Sequence, residues 1–236
     1  MLSTVHPKME HQTVDNGKYS SVEALVKLGQ LNLGYIPWTA SAMTPQSIVY
    51  ILNEIIINQR RRILELGMGI STLFSAKLMQ EIPDLQLISV DHDQGWIDIC
   101  SSQLQSKGLN TDRHQIVHAS LKEIAQPISE LSEHNKIAYY DRDALSIGQT
   151  FKPDLVIIDG PPAWREDISE ARVPAYDLLL PILSEDTTLF IDDYQRKGES
   201  KLVSRFLANP SWTLSLSDPE ANVAILRNSS GHYNII

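Results

Sequence analysis

The fold is decided by residues 62–72, which read Arg-Ile-Leu-Glu-Leu-Gly-Met-Gly-Ile-Ser-Thr. The mostly apolar residues 63–66 predict a short buried strand. Gly67 and Gly69 then allow the backbone to turn sharply and a ligand to approach the main chain. A strand, a glycine turn and a helix in this order predict an α/β fold, in which the free N–H groups at the start of the helix bind nucleotide-like ligands.

The side chains of Glu65 and Thr72 indicate which kind of ligand this segment binds. A dinucleotide-binding fingerprint requires a third glycine where this chain has Thr72. Glu65 would repel a pyrophosphate but not a cationic or hydroxyl-rich ligand such as S-adenosylmethionine (SAM), which carries an ammonium, a sulfonium and a ribose. Ser71 or Thr72 is suited to cap the helix. The segment resembles the first motif of class I SAM-dependent methyltransferases, and the resemblance implies cofactor contacts at Glu65, Gly67, Gly69 and Ser71.

The second strand is predicted over residues 85–90, and Asp91 follows it. An acid about 20 positions beyond the glycines, at the end of a strand, is placed to accept hydrogen bonds from two ribose hydroxyls. The alternative is an acid that caps the next helix, a role for which Asp93 is also well placed. His92 is either a residue that flanks the adenine or an exposed surface residue.

The third strand is predicted over residues 114–118 and leads to Ser120. Class I methyltransferases usually hold the adenine with residues at this strand end, so the resemblance implies a cofactor contact at Ser120. Further on, residues 136–141 suggest an additional strand or hairpin before the next strand of the sheet.

Acidic residues follow two further predicted strands. The apolar run at residues 155–158 predicts a central parallel strand buried on both faces, and the prolines after it stop the strand and leave Asp159 at the edge of the sheet. A fifth strand at residues 187–191 is followed by Asp192 and Asp193. We therefore expect the three aspartates to meet beside the glycine turn.

The resemblance gives these acids a function. In catechol-type and related small-molecule O-methyltransferases, an aspartate after the fourth strand and an Asp-Asn pair after the fifth bind magnesium or a similar ion. By resemblance, Asp159, Asp192 and Asp193 form such a metal site, with Asp193 in place of the usual asparagine, and Asp159 is the candidate catalytic residue and a further cofactor contact. The alternative makes Asp193 a helix cap and Asp159 only a cofactor or substrate contact.

A closer likeness is to a set of bacterial class I methyltransferases with three motifs. These are Asp-Gly-Pro-Pro, Arg-x-Pro-Ala and Asp-Asp, which this chain has at residues 159–162, 172–175 and 192–193. Arg172 either pairs with an acid or binds a substrate anion. The likeness implies a cofactor and a reaction class, but no particular acceptor.

Residues 211–216 and 222–227 predict a C-terminal antiparallel hairpin. The expected fold is therefore α/β, a seven-stranded, mostly parallel, doubly wound Rossmann-like sheet with this hairpin and an N-terminal helical addition. We expect residues 1–44 to form a mobile arm over residues 1–20, a helix and a roof loop (residues 35–43). This loop either covers the cofactor and the substrate or only packs against the core. Residues 45–236 are expected to form a single SAM-dependent methyltransferase domain.

Composition narrows the class of protein. The chain has 236 residues, 42% of them hydrophobic, and a formal net charge of −9, so we expect one domain and no nucleic acid partner. The basic residues 60–62 are expected to mark the solvated start of a strand. Cys100, a single cysteine, fits a small core residue in a reducing compartment, and no apolar run reaches the ~20 residues of a membrane span. We expect a cytoplasmic protein with a small-molecule substrate, and a homodimer is compatible with this.

The sequence thus predicts SAM-dependent methyl transfer to a small-molecule acceptor, at oxygen. Three alternatives stay open. An aminopropyltransferase that uses decarboxylated SAM is disfavoured, because its first loop would be more glycine-rich and acidic than residues 67–70 are. A nicotinamide-dependent oxidoreductase is disfavoured by Glu65 and by the missing third glycine. A non-catalytic SAM-binding or partner protein would use the same sheet as a scaffold.

Overall fold

The computed structural model describes residues 18–124, 137–141, 143, 150–228 and 231–236. The arm predicted at residues 1–20 lies outside the described residues except for its last three. None of the helices in the described ranges is long and apolar enough to cross a membrane.

Helices and strands alternate along most of the chain. The helices are α1 (Ser21–Gly29), α2 (Pro45–Ile57), α3 (Ile70–Leu78), α4 (Gln94–Ser106), α5 (Ala175–Leu179) and α6 (Lys197–Leu207), with short 3-10 turns at Glu166–Ile168 and Leu180–Ile182. The strands are β1 (Arg62–Leu66), β2 (Gln86–Asp91), β3 (His114–His118), β4 (Leu121–Glu123), β5 (Ala138–Tyr140), β6 (Leu155–Ile158), β7 (Thr188–Asp192), β8 (Thr213–Asp218) and β9 (Val223–Arg227).

Seven of these strands form one sheet in the order β3-β2-β1-β6-β7-β9-β8. The first five strands in this order, β3, β2, β1, β6 and β7, run parallel to one another. Strand β9 is antiparallel to both β7 and β8. The predicted seven-stranded sheet with a C-terminal antiparallel hairpin is confirmed. The additional hairpin is confirmed as well, since β4 pairs with β5 in a separate two-stranded sheet.

The register of the parallel strands brings their carboxyl ends to one edge. Leu66, the last residue of β1, lies opposite Val90 of β2 and Ile158 of β6, and Ile158 lies opposite Ile191 of β7. The residues that follow these strands therefore meet along a single edge, which we call the carboxyl edge. The turn between β8 and β9 reaches the same edge because Val223 pairs with Asp192.

The core lies on both faces of the sheet. One face packs against α1, α2 and α3, and the other against α5 and α6. Because successive side chains of a strand point to opposite faces, Ile63 belongs to the first core, and Leu64 and Leu66 belong to the second. Helix α1 packs on α2 within the first core, and the domain boundary expected at residue 44 stays a prediction.

The basic residues before β1 differ from the expectation. Arg60 was expected in solvent but is buried, with 1% of its surface exposed. Its Nε lies 3.0 Å from Oε1 of Glu54, and its Nη2 donates to Thr188. Arg227 also contacts Glu54, at 2.5 Å. These four residues form the amino-edge cluster, because Thr188 begins β7 and Arg227 ends the antiparallel β9.

Candidate active site

A cavity of about 760 Å³ opens at the carboxyl edge of the sheet. Its volume lies within the roughly 300–1,000 Å³ that is typical of small-molecule sites. The walls come from segments distant in sequence, which include residues 39–44, 67–71, 91–93, 159–160, 162–164 and 192–193 together with Trp96, Tyr140, Arg172, Arg196 and Asn222. The predicted site residues Gly67, Gly69, Ser71, Asp91, His92, Asp159, Asp192 and Asp193 all border this cavity.

The glycine loop, residues 67–69, forms the floor of one side. Gly67 has a φ of +98°, and a Cβ at this position would lie 2.8 Å from the carbonyl carbon of Asp159, so only glycine fits. Gly69 has an extended backbone, and a Cβ there would meet nothing within 4 Å. The loop therefore packs tightly against the segment after β6 and leaves open space above Gly69.

The start of α3 differs from the prediction. Gly69 is the N-cap residue, so neither Ser71 nor Thr72 caps the helix from outside. Thr72 lies in the first turn, where its Oγ1 accepts a hydrogen bond from the N–H of Gly69 at 3.0 Å. The hydroxyl groups of both residues donate downward instead, to a carboxylate beneath the loop.

That carboxylate is Glu65, which is fully buried. It accepts hydrogen bonds from Ser71 at 2.5 Å, Thr72 at 2.6 Å and Ser89 at 2.7 Å. Burial raises the pKa of Glu65 despite these hydrogen bonds. Glu65 does not border the cavity, because its side chain points toward α3 and holds the glycine loop from below. Its expected contact with the cofactor stays a prediction.

Asp91 occupies the position predicted for a ribose ligand. Its Oδ2 accepts from the N–H of Met68 and its Oδ1 from the N–H of Asp93, both at 2.9 Å. Burial would raise the pKa of Asp91, but the hydrogen bonds from His92 and these amides outweigh it and lower the pKa. Asp93 caps α4, because its Oδ1 accepts a hydrogen bond from the backbone N–H of Trp96. Asp91 is thus left as an ionised carboxylate at the cavity wall.

The neighbouring predictions differ in outcome. His92 borders the cavity with its Nδ1 3.2 Å from Oδ1 of Asp91, and this contact raises the pKa of His92. Ser120, by contrast, is exposed and does not border the cavity, and its carbonyl accepts a hydrogen bond from the N–H of Asp141. The expected contact between Ser120 and the adenine has no support in its position.

Asp159, Asp192 and Asp193 form the acid cluster, in which one oxygen of each lies within 4.8 Å of the others. The predicted meeting of these residues is confirmed. Asp193 has a φ of +59° and lies before Arg196, the N-cap of α6, so Asp193 is not the helix cap of the alternative interpretation. Within the described ranges, the Asp192 carboxylate accepts no hydrogen bond.

Arg172 lies in the middle of these acids and is 3% exposed. Its guanidinium nitrogens are 3.2 Å from Asp159 Oδ1, 3.5 Å from Asp193 Oδ2 and 3.4 Å from Glu199 Oε1. Pairing of Arg172 with an acid is therefore confirmed. Arg196, at the cavity rim, contacts the same Asp193 oxygen at 2.6 Å.

Negative charge exceeds positive charge in this region. Burial raises the pKa of Asp159 to about 7, with Arg172 opposing the shift and Asp193 adding to it. Burial and the neighbouring aspartates raise the pKa of Asp192 well above its usual range, and burial raises the pKa of Glu199 to about 6. Four acids share two arginines, so the cluster favours binding of a proton or a cation.

Two cavity residues were missed in the sequence. Asn222, in the turn between β8 and β9, donates through Nδ2 to Asp193 Oδ1 at 3.1 Å and accepts from the N–H of Gln195. Its position in a turn between two strands was a usable signal, because asparagine tolerates the positive φ of 57° found there. Tyr140 reaches the cavity from β5, and no motif marked it.

The roof loop and the rim supply aromatic residues. Residues 39–43 of the roof loop border the cavity, whereas the Trp38 ring packs 6.3 Å from Phe74 and its Nε1 donates to the carbonyl of Met43. Trp38 thus braces the loop without lining the cavity. Trp164, after β6, lies at the rim with 71% of its surface exposed.

Comparison with known sequences gives one family. Residues 64–194, more than half of the chain, match a family described as a methyltransferase domain. The matched range begins in β1 and ends after β7, so it contains the glycine loop and the acid cluster. No curated protein matches the chain.

Three solved structures with similar folds are a methyltransferase, an O-methyltransferase and a cofactor-bound protein. The methyltransferase PaMTH1 from Podospora anserina, solved with S-adenosylhomocysteine (SAH), has a TM-score of 0.54 at 14% identity over 96% of this chain and 99% of that one. TomG from Streptomyces achromogenes, an O-methyltransferase involved in tomaymycin synthesis, was solved with SAM. It has a TM-score of 0.51 at 18% identity and covers 86% of this chain and 88% of its own. Cofactor-bound Rv0187 from MTB has a TM-score of 0.51 at 18% identity, and the match covers 87% of this chain and 88% of that one. At these identities the likeness is one of fold.

Proposed function

The chain belongs to the methyltransferase domain family and is a SAM-dependent methyltransferase, and from that premise we propose that it methylates a hydroxyl oxygen of a small-molecule acceptor, with a divalent cation at the acid cluster. The observation that carries the proposal is the meeting of Asp159, Asp192 and Asp193 in the cavity beside the glycine loop. A site that gathers acids at this point is suited to bind a cation and to remove a hydroxyl proton.

The residues of the cavity fit SAM. The open space at Gly69 admits a ligand close to the backbone, the ionised Asp91 would hold ribose hydroxyls, and the excess of acids suits a ligand with two positive groups. When bound, SAM supplies a methyl group attached to a positively charged sulfur. The task of the chain is then to align the acceptor oxygen with that methyl group.

The acid cluster also fits a hard divalent cation, which prefers oxygen ligands. Asn222 occupies one oxygen of Asp193, and Arg172 and Arg196 occupy the other. Asp192, which has no donor in the described part of the chain, is therefore the ligand most open to an ion, and the Asp159 oxygen that does not contact Arg172 stays available to a proton. An ion held there would orient the acceptor oxygen and lower the pKa of its hydroxyl.

Asp159 is the residue that we propose to accept the hydroxyl proton. Its side chain is 20% exposed, and Arg172 fixes its orientation through Oδ1. A carboxyl whose pKa is raised to about 7 exchanges protons readily at neutral pH, as a general base requires. The carboxylate is held between two rigid strand ends, which favours a fixed position relative to the cofactor.

A small acceptor fits the remaining space better than a macromolecule does. The cavity volume of about 760 Å³ must hold cofactor and acceptor together, and the formal net charge of −9 disfavours nucleic acid. The exposed Trp164 at the rim offers a flat apolar surface to an acceptor ring or chain.

The proposal is tested by incubating the protein with SAM and a panel of hydroxyl and amine acceptors, and by measuring SAH release. We expect release with hydroxyl acceptors, loss of activity with a strong chelator, and recovery with Mg²⁺. Asp159→Asn should lower turnover by about 10²- to 10⁴-fold while SAH affinity stays within a few fold, and the exposed Asp98→Asn should have no effect. Methylation of amines alone would overturn the oxygen assignment, and activity that survives chelation would overturn the cation.

A further inference from the structure

Two consecutive tyrosines at the end of β5 have buried hydroxyl groups that lack a hydrogen-bond partner within the described part of the chain. Tyr139 is 1% exposed and Tyr140 is 3% exposed. A buried hydroxyl without a partner lowers the stability of the fold, so such groups are rare and call for an explanation. The hydroxyls do not bond to each other, although the two rings pack edge to face with centroids 5.2 Å apart.

The surroundings of the two tyrosines differ. Tyr140 borders the cavity, where its ring lies 6.5 Å from that of His92, whereas Tyr139 is not part of the cavity wall. This follows from the strand, in which consecutive side chains point to opposite sides. Of these two unpaired hydroxyls, that of Tyr140 therefore belongs to a residue of the cavity wall.

The position of the Tyr140 hydroxyl beside the glycine loop is well defined. A Cβ added to Gly160 would lie 2.0 Å from Tyr140 Oη and 3.0 Å from Cα of Gly67. The hydroxyl therefore occupies the space left by a missing side chain, where the glycine loop meets the segment after β6. The negative charges of both Asp91 and Asp159 act on it.

The charge state of the hydroxyl is also defined. Burial, and then the negative charge of Asp91, raise the pKa of Tyr140 well above its usual value. The group therefore keeps its proton at neutral pH and acts as a donor. A neutral donor complements an uncharged oxygen of the ligand, whereas the neighbouring carboxylate of Asp91 complements ligand hydroxyl groups that donate.

We infer that Tyr140 is a cofactor-binding residue whose hydroxyl donates a hydrogen bond to a ribose oxygen of the nucleoside. The inference rests on the cofactor of the proposed function, and it is independent of the acceptor and of the cation. The ribose is the part of the nucleoside assigned here because Asp91, a carboxylate in the same cavity, suits ribose hydroxyls. The unpaired hydroxyl gains its partner when the cavity is filled.

The experiment compares wild type, Tyr140→Phe and the matched control Tyr139→Phe. Calorimetric titration with SAH, and with adenosine as a probe that retains the ribose, measures affinity. Thermal unfolding without ligand measures stability. We expect Tyr140→Phe to raise the Kd of both ligands about 3- to 10-fold, and Tyr139→Phe to leave it within about twofold. Without ligand, Tyr140→Phe should melt at the same temperature or higher, because it removes an unpaired polar group.

Each other outcome contradicts a defined statement. Equal SAH affinity in wild type and Tyr140→Phe, or an equal loss in Tyr139→Phe, overturns the role of the hydroxyl. A lower melting temperature of ligand-free Tyr140→Phe overturns it as well, since the group would then have a partner within the protein. A loss for SAH without a loss for adenosine overturns the ribose assignment. A wild-type protein that binds no SAH overturns the proposed function itself.

Discussion

Two buried ionic clusters lie at opposite ends of the strands of the same sheet. Arginines outnumber buried acids in one, and acids outnumber arginines in the other. In the amino-edge cluster, Glu54 contacts both Arg60 and Arg227, so two positive charges surround one buried acid. At the carboxyl edge, the acid cluster and Glu199 contribute four carboxylates, and Arg172 and Arg196 are the arginines that contact them.

The pKa values follow from this difference in balance. Burial would raise the pKa of Glu54, but Arg227, Thr188 and Arg60 outweigh burial and lower it. At the other edge, burial prevails over the arginines and raises the pKa of Asp159 to about 7. Removing one partner from a cluster whose charges are paired within the protein is costly, whereas a cluster with surplus acid is available to a ligand.

The largest expected effect comes from breaking the amino-edge cluster. Glu54→Ala leaves Arg60 and Arg227 buried without their shared acid, which should lower the free energy of unfolding by about 3–5 kcal/mol. Urea unfolding measures this loss, and the exposed Glu81→Ala serves as the control. A loss below about 1 kcal/mol would show that the amino-edge cluster does not stabilise the fold.

The second-largest effect is expected at the acid cluster, where protonation of Asp159 should make the free energy of unfolding depend on pH. Because the pKa of Asp159 is raised from 3.8 to about 7 on folding, the folded protein between these values holds a proton that the unfolded chain has released. The free energy of unfolding should therefore fall as pH rises through this window and level off above it.

Asp159→Asn lacks this titration and isolates its contribution. Between pH 5 and 8, with a chelator present, wild type should lose about 2 kcal/mol more than the variant does, since one pKa unit corresponds to ~1.4 kcal/mol and water at the exposed part of the side chain offsets part of the shift. Chemical unfolding at each pH measures the difference. If the free energy of unfolding depends on pH in the same way in both proteins, burial does not raise the pKa of Asp159.

The smallest effect is expected at the rim of the acid cluster. Arg196 is 37% exposed in its side chain and contacts Asp193, so Arg196→Ala should lower the free energy of unfolding by at most about 1 kcal/mol. Arg165→Ala, which removes a similar exposed contact with Asp167, is the matched comparison. A loss of several kcal/mol for Arg196→Ala would place this arginine with the buried pairs of the opposite edge.

The sequence predicted most of the carboxyl edge because a parallel sheet brings its strand ends together. Asp91, Asp159, Asp192 and the glycine loop each follow a strand that was predicted from apolar runs, and the register then places them in one cavity. Local patterns and a general topological rule were sufficient for this part.

The orientation of single side chains was not predictable in the same way. Glu65 lies in a strand buried on both faces, where alternation alone does not indicate which face borders a ligand, and the side chain points beneath the loop. The burial of Arg60 depends on Glu54 and Arg227, whose positions are set by tertiary packing. Tyr140 reaches the cavity from a separate hairpin, and no spacing rule connects that hairpin to the sheet.

Titration with Mn²⁺ in the presence of SAH, followed by electron paramagnetic resonance, shows directly whether surplus acid at the carboxyl edge holds a divalent cation beside the cofactor. We expect one bound Mn²⁺ per chain in wild type, loss of binding in Asp192→Asn, and unchanged binding in Glu54→Gln at the amino edge. No bound Mn²⁺ in wild type, or binding that persists in Asp192→Asn, would contradict the proposed cation site.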